Sequence, residues 1–394
     1  MKKGSRSKKA VRRKMMLGTI LCIASLCAGC GKKASEEAAQ TQVPTTQETT
    51  TQAATSAPKI LIQSDEEQKE ETKDLPDYNL PEEREEKDGM IRSFLTGQMV
   101  PVEQANRRPI AIMMSNDKEA RPQYGMNRAG VVYEAPVEAE MNRYMAVIED
   151  YDDLERIGSV RSCRDYYLFY ANEFNAIYAH YGQAAYALPY LDQHVIDNLN
   201  GIKMGNLAFF RTTDRKPPHN AYTDAAHLQA GIEAMKYSQE YTEDYTGHYL
   251  FAEDGAETVP ADGITANLVK LDNFTDNHPW YEYDEASGEY KRFQFGKEHV
   301  DQLDDKQLTC DNIILQYSSC PAYDANGYLN IDAISGGEGR FITKGKAIDI
   351  RWEKDSPWGI THYYDKNEQE ICLNQGTTWV EIVQNDRIDS ITYQ

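Results

Sequence analysis

The chain has 394 residues, seven cysteines and a formal net charge of −21. Its first fourteen residues include eight Lys and Arg, and no acidic residue precedes residue 31, so removing this segment changes −21 to −29. A chain with this much negative charge is not expected to attract nucleic acid through its overall electrostatic field, although a local cluster of arginines can attract an anion against that field. The sparse cysteines exclude a disulfide-rich scaffold.

An export signal occupies the start of the chain. The basic segment is followed by a short apolar run and by small residues before Cys30, a pattern typical of a lipoprotein signal. We expect residues 1–29 to be removed and Cys30 to carry lipid, which would anchor the protein to the extracytoplasmic face of the cell membrane. Cys27 stands where the usual motif has Leu. An uncleaved anchor helix is the alternative, but a spanning helix needs about 20 apolar residues and this run is shorter.

A low-complexity segment follows, and we assign residues 30–95 to a disordered tether. It is rich in Thr, Gln, Ala and Glu and then strongly acidic. Such a composition buries too little apolar surface to offset the entropy of ordering. As a flexible coil, the tether has a reach of about 40 Å.

Residues 100–245 are predicted to form an N-terminal domain of the α/β or α+β class. Apolar runs at 109–114, 129–136, 143–148 and 175–179 indicate strands, and the first strand ends in a polar loop. Helical patterns cover 168–172, 188–198 and 224–235. Thr223 or Asp224 is the expected N-cap of the last helix. This mixture of strands and helices predicts the fold class.

Residues 255–390 are predicted to form a β-rich C-terminal domain. Strand patterns recur at 268–271, 280–283, 290–293, 312–317, 345–352, 358–364, 371–373 and 379–383, with turn residues between them. Cys310 and Cys320 flank the strand at 312–317, and ten extended residues hold them about 30 Å apart, too far for a disulfide. The four tryptophans of this domain are expected to lie in its core rather than on a sugar- or peptide-binding face.

Arginines are the most prominent candidates for a binding site. No zinc spacing, phosphate-binding glycine loop or serine-hydrolase elbow is present, so we predict neither a metal site nor a cofactor. Arginine guanidinium groups suit phosphate or carboxylate. The candidate anion-binding residues are Arg121, Arg143, Arg161, Arg164 and Arg215. Ion pairing with acidic residues of the same chain is the alternative and is left open.

Polar residues at strand ends and turns form a second candidate group. Asn116 and Asp117 follow the first strand and suit substrate orientation, whereas an ordinary turn is the competing interpretation. His180 and His219 suit general acid or base chemistry, and structural roles are the competing interpretation. The full polar set is Asn116, Asp117, Glu134, His180, His219 and Asn220. Cys163 lies between two arginines but has no evident partner base, so no nucleophilic role is assigned to it.

The ordered motifs resemble the YerB-type bacterial lipoproteins, a family of unknown function. The resemblance rests on residues 108–116, 120–123, 131–134, 157–164 and 218–222, and on Trp280, Tyr290, Arg292, Asn312 and residues 376–379. Cys163 replaces a smaller residue of the family pattern, and Ala139 and Glu140 replace glycines. The resemblance implies a surface lipoprotein with two domains and no established reaction.

A looser similarity is to the LytR–CpsA–Psr enzymes, which transfer glycopolymers from a polyprenyl pyrophosphate carrier. It implies pyrophosphate-binding and magnesium-positioning roles for Asp117, Arg121, Arg161, Arg164 and Asp165. The favoured hypothesis remains a non-catalytic envelope protein that binds a wall component or a protein partner. The alternative is an enzyme or anion-binding protein acting on a phosphorylated glycopolymer, with Mg²⁺ as its cofactor. Arginines converging in an open pocket beside Asp117 favour the enzyme, and arginines buried in salt bridges favour the binding protein.

Overall fold

A large mixed β-sheet spans both halves of the chain in the computed structural model, which describes residues 84–394. The predicted signal peptide, Cys30 and the tether up to residue 83 lie outside the described residues. Residues 90–95, also assigned to the tether, belong to the folded region, since Met90–Arg92 is a strand and Leu95 is fully buried. Folded structure therefore begins before the boundary that composition suggested.

The N-terminal half contains ten strands and five α-helices among the described residues. The strands are β1 Met90–Arg92, β2 Met99–Pro101, β3 Ile110–Ser115, β4 Val131–Pro136, β5 Asn142–Ile148, β6 Ile157–Gly158, β7 Ile177–His180, β8 Asn198–Asn200, β9 Phe210–Arg211 and β10 Ala221–Thr223. The helices are α1 Val102–Ala105, α2 Asp165–Asn172, α3 Leu188–Asp192, α4 Gly201–Met204 and α5 Ala225–Met235.

The C-terminal half is built from strands. They are β11 Leu250–Phe251, β12 Ile264–Thr265, β13 Leu268–Leu271, β14 Trp280–Asp284, β15 Glu289–Gln294, β16 Lys297–Glu298, β17 Thr309–Cys310, β18 Asn312–Ser318, β19 Gly337–Thr343, β20 Lys346–Lys354, β21 Thr361–Tyr364, β22 Cys372–Leu373, β23 Thr378–Gln384 and β24 Ile391–Tyr393.

The large sheet has 11 strands in the order β12-β20-β19-β18-β23-β4-β5-β3-β7-β8, with β21 also paired to β20. The two halves meet where β23 pairs in parallel with β4, with Glu381 opposite Glu134. A second sheet of six strands has the order β16-β15-β14-β13-β24, with β17 paired to β15. The two predicted domains therefore share one sheet.

Both faces of the large sheet are covered. On one face, Ile110 and Ile112 pack in a core cluster with Tyr281 of the second sheet. On the other face, Ala111 and Met113 pack in a cluster that includes most of α2. Because successive side chains of a strand point to opposite faces, burial on both sides explains the continuous apolar run that predicted β3.

Most predicted elements form, and the mixed α/β class is confirmed for the described residues. Helix α5 begins as expected, because Asp224 accepts a hydrogen bond from the His227 amide. The helix predicted over 188–198 was wrong beyond Asp192, because residues 198–200 pair with β7 as strand β8. Cys310 and Cys320 are free thiols. Within residues 84–394, no helix is both long and apolar enough to cross a membrane.

Candidate functional site

Backbone hydrogen bonds bring three loops together at the end of β3. The Ser115 amide donates to the Ser159 carbonyl at 3.0 Å, and the Val160 amide donates to the Ala221 carbonyl at 2.7 Å. These bonds place the turn after β3, the loop at 159–161 and the turn before β10 side by side. We define the Asp117 cluster as the side chains that meet there, namely Ser115, Asn116, Asp117, Arg161 and His219.

One carboxylate oxygen is the centre of the cluster. The Ser115 hydroxyl donates to Asp117 Oδ2. Arg161 Nη2 and His219 Nδ1 each lie 3.5 Å from the same oxygen. Burial by itself would raise the pKa of Asp117, but the Ser115 hydrogen bond and the nearby charge of Arg161 outweigh it, so the pKa is lowered. Burial lowers the pKa of His219, which favours a neutral imidazole.

Several buried polar atoms of the cluster have no hydrogen-bond partner within the protein. They are Asn116 Nδ2, Arg161 Nε and His219 Nδ1, and the neighbouring Ser159 Oγ is a further example. Asn116 is 2% exposed and Ser159 is fully buried. Buried polar groups normally have partners, because leaving one unsatisfied costs about 1–3 kcal/mol. The cluster therefore has spare donors within a partly closed region.

Three of the arginines predicted to bind an anion, Arg143, Arg161 and Arg164, lie near one another in this region. Arg164 forms a bidentate ion pair with Glu138 and also donates to the Cys163 carbonyl at 2.9 Å. Arg143 donates to the Ser162 carbonyl at 2.8 Å. Burial, together with the charges of Arg164 and Arg161, lowers the pKa of Arg143 to about 10. Among the described residues, the ion pairs of these three guanidinium groups are with Glu138 and Asp117, and Asp165 also acts on Arg164 through its charge.

Other predicted residues lie in structural roles. Arg215 donates to the carbonyls of Ala120 and Pro122 and so supports the loop after β3. His180 is fully buried between the Gly182 carbonyl at 2.7 Å and Asn198 Oδ1 at 3.3 Å. Asn220 bonds to Arg211 and to the Thr212 carbonyl.

Cys163 is also structural. Its thiol is fully buried, and burial raises its pKa to about 12. A thiol in that state is a poor nucleophile at neutral pH.

Glu134 belongs to a separate polar network in the core, which we call the Glu134 network. Its carboxylate pairs with Arg292, and both side chains are fully buried. Asn142 and Asn277 donate to Glu134 at 2.8 Å, and Arg292 also contacts His299 at 2.6 Å. Glu381, on the neighbouring strand, accepts from the Tyr281 hydroxyl. Burial and the charge of Glu134 raise the pKa of Glu381 well above its ordinary range, which favours the protonated form of this carboxyl.

A groove of about 1250 Å³ opens beside the Asp117 cluster. The loop after β3, from Asp117 to Gln123, lines one side, and residues of β14, β15 and β16 line the other. The rings of Trp280 and Phe293 stack across neighbouring strands at 4.8 Å. The Arg121 guanidinium lies 3.2 Å from the centre of the Phe295 ring. The groove thus combines half-exposed aromatic rings with charged side chains at a junction between the two halves.

The loop after β3 is held to the C-terminal half by further hydrogen bonds. Gln123 Oε1 lies 3.0 Å from His299 Nε2. Asp301 accepts from the amides of Gly125 at 3.0 Å and Asn127 at 2.8 Å. The Glu134 network therefore supports one wall of the groove through His299. Within residues 84–394, no group of three or more His, Cys, Asp or Glu side chains is arranged to hold a metal ion.

Comparison with known proteins assigns the family. The N-terminal domain described as "Protein of unknown function (DUF3048)" matches residues 95–238, and the corresponding C-terminal domain matches residues 269–380. The chain belongs to the DUF3048 family. It is 29% identical over 305 residues to "Putative lipoprotein YerB" of Bacillus subtilis strain 168, covering 74% of this chain and 86% of that protein. A crystal structure of the Bacillus subtilis YerB protein matches with a TM-score of 0.69 and 27% identity over 77% of this chain and 99% of that one.

The DUF3048 fold brings together residues that sequence reasoning did not select. The sequence pattern places Trp280 of the groove in the core, and it does not single out Phe293, Gln123, His299 or Glu381. In the structure Tyr290, Arg292 and Gln294 are buried and alternate with more exposed residues along β15. That alternation places Arg292 on the inner face of the strand.

Proposed function

We propose that this DUF3048 protein is a lipid-anchored, non-catalytic binding protein on the extracytoplasmic face of the cell membrane, and that it binds a carbohydrate component of the cell wall in the groove beside Asp117. The observation that carries the proposal is the groove itself, with stacked aromatic rings and charged groups where the two halves meet. Ligand sites occur preferentially at such junctions and combine aromatic surface with a few polar groups.

The composition of the groove favours a sugar over a simple polyanion. Its basic residues are Lys118, Arg121 and Lys297, and its acidic residues are Asp117, Glu119, Asp276 and Glu298. Positively and negatively charged side chains supply hydrogen-bond donors and acceptors for the hydroxyl groups of a sugar. The small excess of acidic side chains in the groove opposes the binding of a polyanionic ligand. The half-exposed faces of Trp280 and Phe293 offer apolar area to the C–H face of a sugar ring.

The Asp117 cluster does not have the order of a nucleophilic triad. In such a triad an imidazole bridges the serine and the carboxylate, so that it can take the serine proton. Here Asp117 bridges Ser115 and His219, and its lowered pKa makes it a weak base. This order supports a binding role.

The anchor is supported by the lipoprotein motif at Cys30 and by the name of the Bacillus subtilis relative. Its test is metabolic labelling with palmitate, followed by separation of membranes from medium. We expect the label and the membrane association of the full chain to disappear together in Cys30→Ser. Membrane retention without label in Cys30→Ser would contradict the lipid anchor.

The groove is tested by the fluorescence of a soluble form of the chain that starts at Gly31. We expect peptidoglycan-derived oligosaccharides to change the Trp280 emission, and Trp280→Ala to weaken their binding about tenfold, since it removes the apolar ring surface offered to the sugar. Trp358→Phe is the matched control, because Trp358 is half-buried against Phe169 and does not line the groove. Equal binding by both variants would contradict the assignment.

A second candidate is an enzyme acting on a phosphorylated glycopolymer. It is supported by one observation, the convergence of Arg161 and His219 on Asp117. In that reaction Asp117 would position Mg²⁺, so Mg²⁺ would strengthen binding of pyrophosphate analogues and Asp117→Asn would abolish that effect. The binding-protein proposal expects no dependence on Mg²⁺.

A further inference from the structure

We propose that the Asp117 cluster is a subsite for a phosphoryl group, so that the ligand of the groove is a sugar that carries a phosphate ester. The inference rests on the proposed function, because the cluster and the groove share Asp117. It adds the chemical class of one part of the ligand.

The charge of the region is the first argument. Arg161 and Arg164 form ion pairs with Asp117 and Glu138, and the charge of Asp165 also acts on Arg164, whereas Arg143 has no carboxylate in direct contact among the described residues. Arg164 is fully engaged with Glu138, whereas Arg161 makes only a 3.5 Å contact with Asp117. The charges of Arg164 and Arg161 help to lower the pKa of Arg143, so positive charge is crowded at this place in an otherwise strongly acidic chain. Such a place attracts an anion.

The unpartnered donors are the second argument and are independent of charge. Asn116 Nδ2 and Ser159 Oγ are neutral and belong to residues that are almost completely buried. Together with Arg161 Nε they supply donors from two loops. A phosphoryl group has acceptor oxygens in several directions, and it would satisfy donors that no single protein acceptor reaches.

The position of Asp117 determines how the inference can be tested. The Ser115 hydroxyl, Arg161 and His219 all converge on Asp117 Oδ2, so an anion from the protein itself already lies at the centre of the donors. Asp117 also lines the groove, while Arg161 and His219 lie behind it, each with 15% of its side chain exposed. A phosphoryl group reaching the cluster from the groove would therefore lie next to a like charge.

That like charge gives a sharp test by isothermal titration of the soluble chain from Gly31. The probes are inorganic phosphate, N-acetylglucosamine and N-acetylglucosamine 1-phosphate, each without and with Mg²⁺. Removing the charge in Asp117→Asn should tighten phosphate binding about tenfold, because it removes the repulsion between two like charges a few ångströms apart. Arg161→Gln should weaken it about tenfold or more. A gain of affinity cannot arise from misfolding, so Asp117→Asn keeps the test decisive if Arg161→Gln is unstable.

Arg351→Gln is the matched control, since Arg351 pairs with Glu353 and Glu368 outside both the cluster and the groove, and it should bind phosphate like the wild type. Absence of phosphate binding in both wild type and Asp117→Asn would overturn the subsite. Weaker binding in Asp117→Asn would overturn it in favour of a metal-bridged site.

The sugar phosphate distinguishes this inference from the proposed function. We expect N-acetylglucosamine 1-phosphate to bind more tightly than phosphate, and Trp280→Ala to reduce it to the affinity of phosphate alone. If the sugar binds and phosphate does not, the subsite fails and the groove stands. If phosphate binds with dependence on Arg161 but the sugar adds nothing, the groove proposal fails and the inferred ester ligand fails with it.

Discussion

The Glu134 network and the Asp117 cluster are both charged regions at the junction of the two halves, but they differ in how far they are buried from solvent. In the Glu134 network, Arg292 and Glu134 are fully buried and hold each other with several neutral partners. In the Asp117 cluster, Asp117 keeps 17% of its side chain exposed and nearby donors have no partner. The difference separates charge that stabilises the fold from charge that remains available to a ligand.

The largest effect expected from this comparison is the loss of Arg292. Arg292→Met should lower the free energy of unfolding by about 3–5 kcal/mol, because it leaves a buried carboxylate without its partner. Denaturant unfolding measures the change. Arg351→Met is the control, because its ion pairs are partly exposed and such pairs contribute at most about 1 kcal/mol. Similar losses of unfolding free energy in Arg292→Met and Arg351→Met would contradict the distinction between buried and solvent-accessible charged groups.

The two carboxylates of the Glu134 network should respond differently to the same change. Glu134→Gln removes the partner of Arg292 and should cost about 3 kcal/mol. Near pH 4.5, where the carboxyl of the unfolded chain is also about half protonated, Glu381→Gln should change the free energy of unfolding by less than about 1 kcal/mol, because the raised pKa of Glu381 favours its protonated form and an amide has a similar shape. The opposite ranking would show that Glu381, rather than Glu134, carries the charge.

The pH dependence gives a second measurement of the same pair. Folded Glu381 keeps its proton at pH values where the unfolded chain has released it, so the folded state binds more protons and this contribution falls as pH rises above the ordinary value of 4.5. The Glu381→Gln variant does not lose stability in this way as the pH rises. Relative to wild type, the variant should therefore gain stability with rising pH, by at most about 1.4 kcal/mol per pH unit. A constant difference between pH 4.5 and 7 would contradict a protonated Glu381.

The smallest effect contrasts two arginines that are three residues apart. Arg164→Gln should cost about 2 kcal/mol in unfolding free energy, since it breaks a bidentate pair with Glu138 and a bond to a buried carbonyl. Arg161→Gln should cost less than about 1 kcal/mol, because its contact with Asp117 is long and partly exposed. Thermal unfolding of both variants measures this. A larger loss in Arg161→Gln would make Arg161 a structural residue.

Local patterns predicted much of the secondary structure. The apolar run of β3 and the Asp224 cap of α5 are decided by residues close in sequence. The short α3 shows the limit of such patterns, since residues 198–200 adopt a strand only because β7 offers them an edge for parallel pairing.

The candidate site was predictable only in part. Asp117 and Arg161 were selected from residue type and loop position, and the structure places them together. The pairing of Glu134 with Arg292 joins residues 158 positions apart, which no local pattern specifies. Trp280 was assigned to the core because its sequence signal does not distinguish a buried aromatic residue from a half-exposed one.

The parallel pairing of β23 with β4 also constrains how the chain reaches its native state. A ribosome synthesises the chain from its N-terminus, so the edge of β4 has no strand partner on that side until residue 384 has been made. The hydrogen bonds that close the sheet between the two halves therefore cannot form before β23 has been made. A chain that stops before Thr378 would keep an open, apolar sheet edge, which is a template for aggregation.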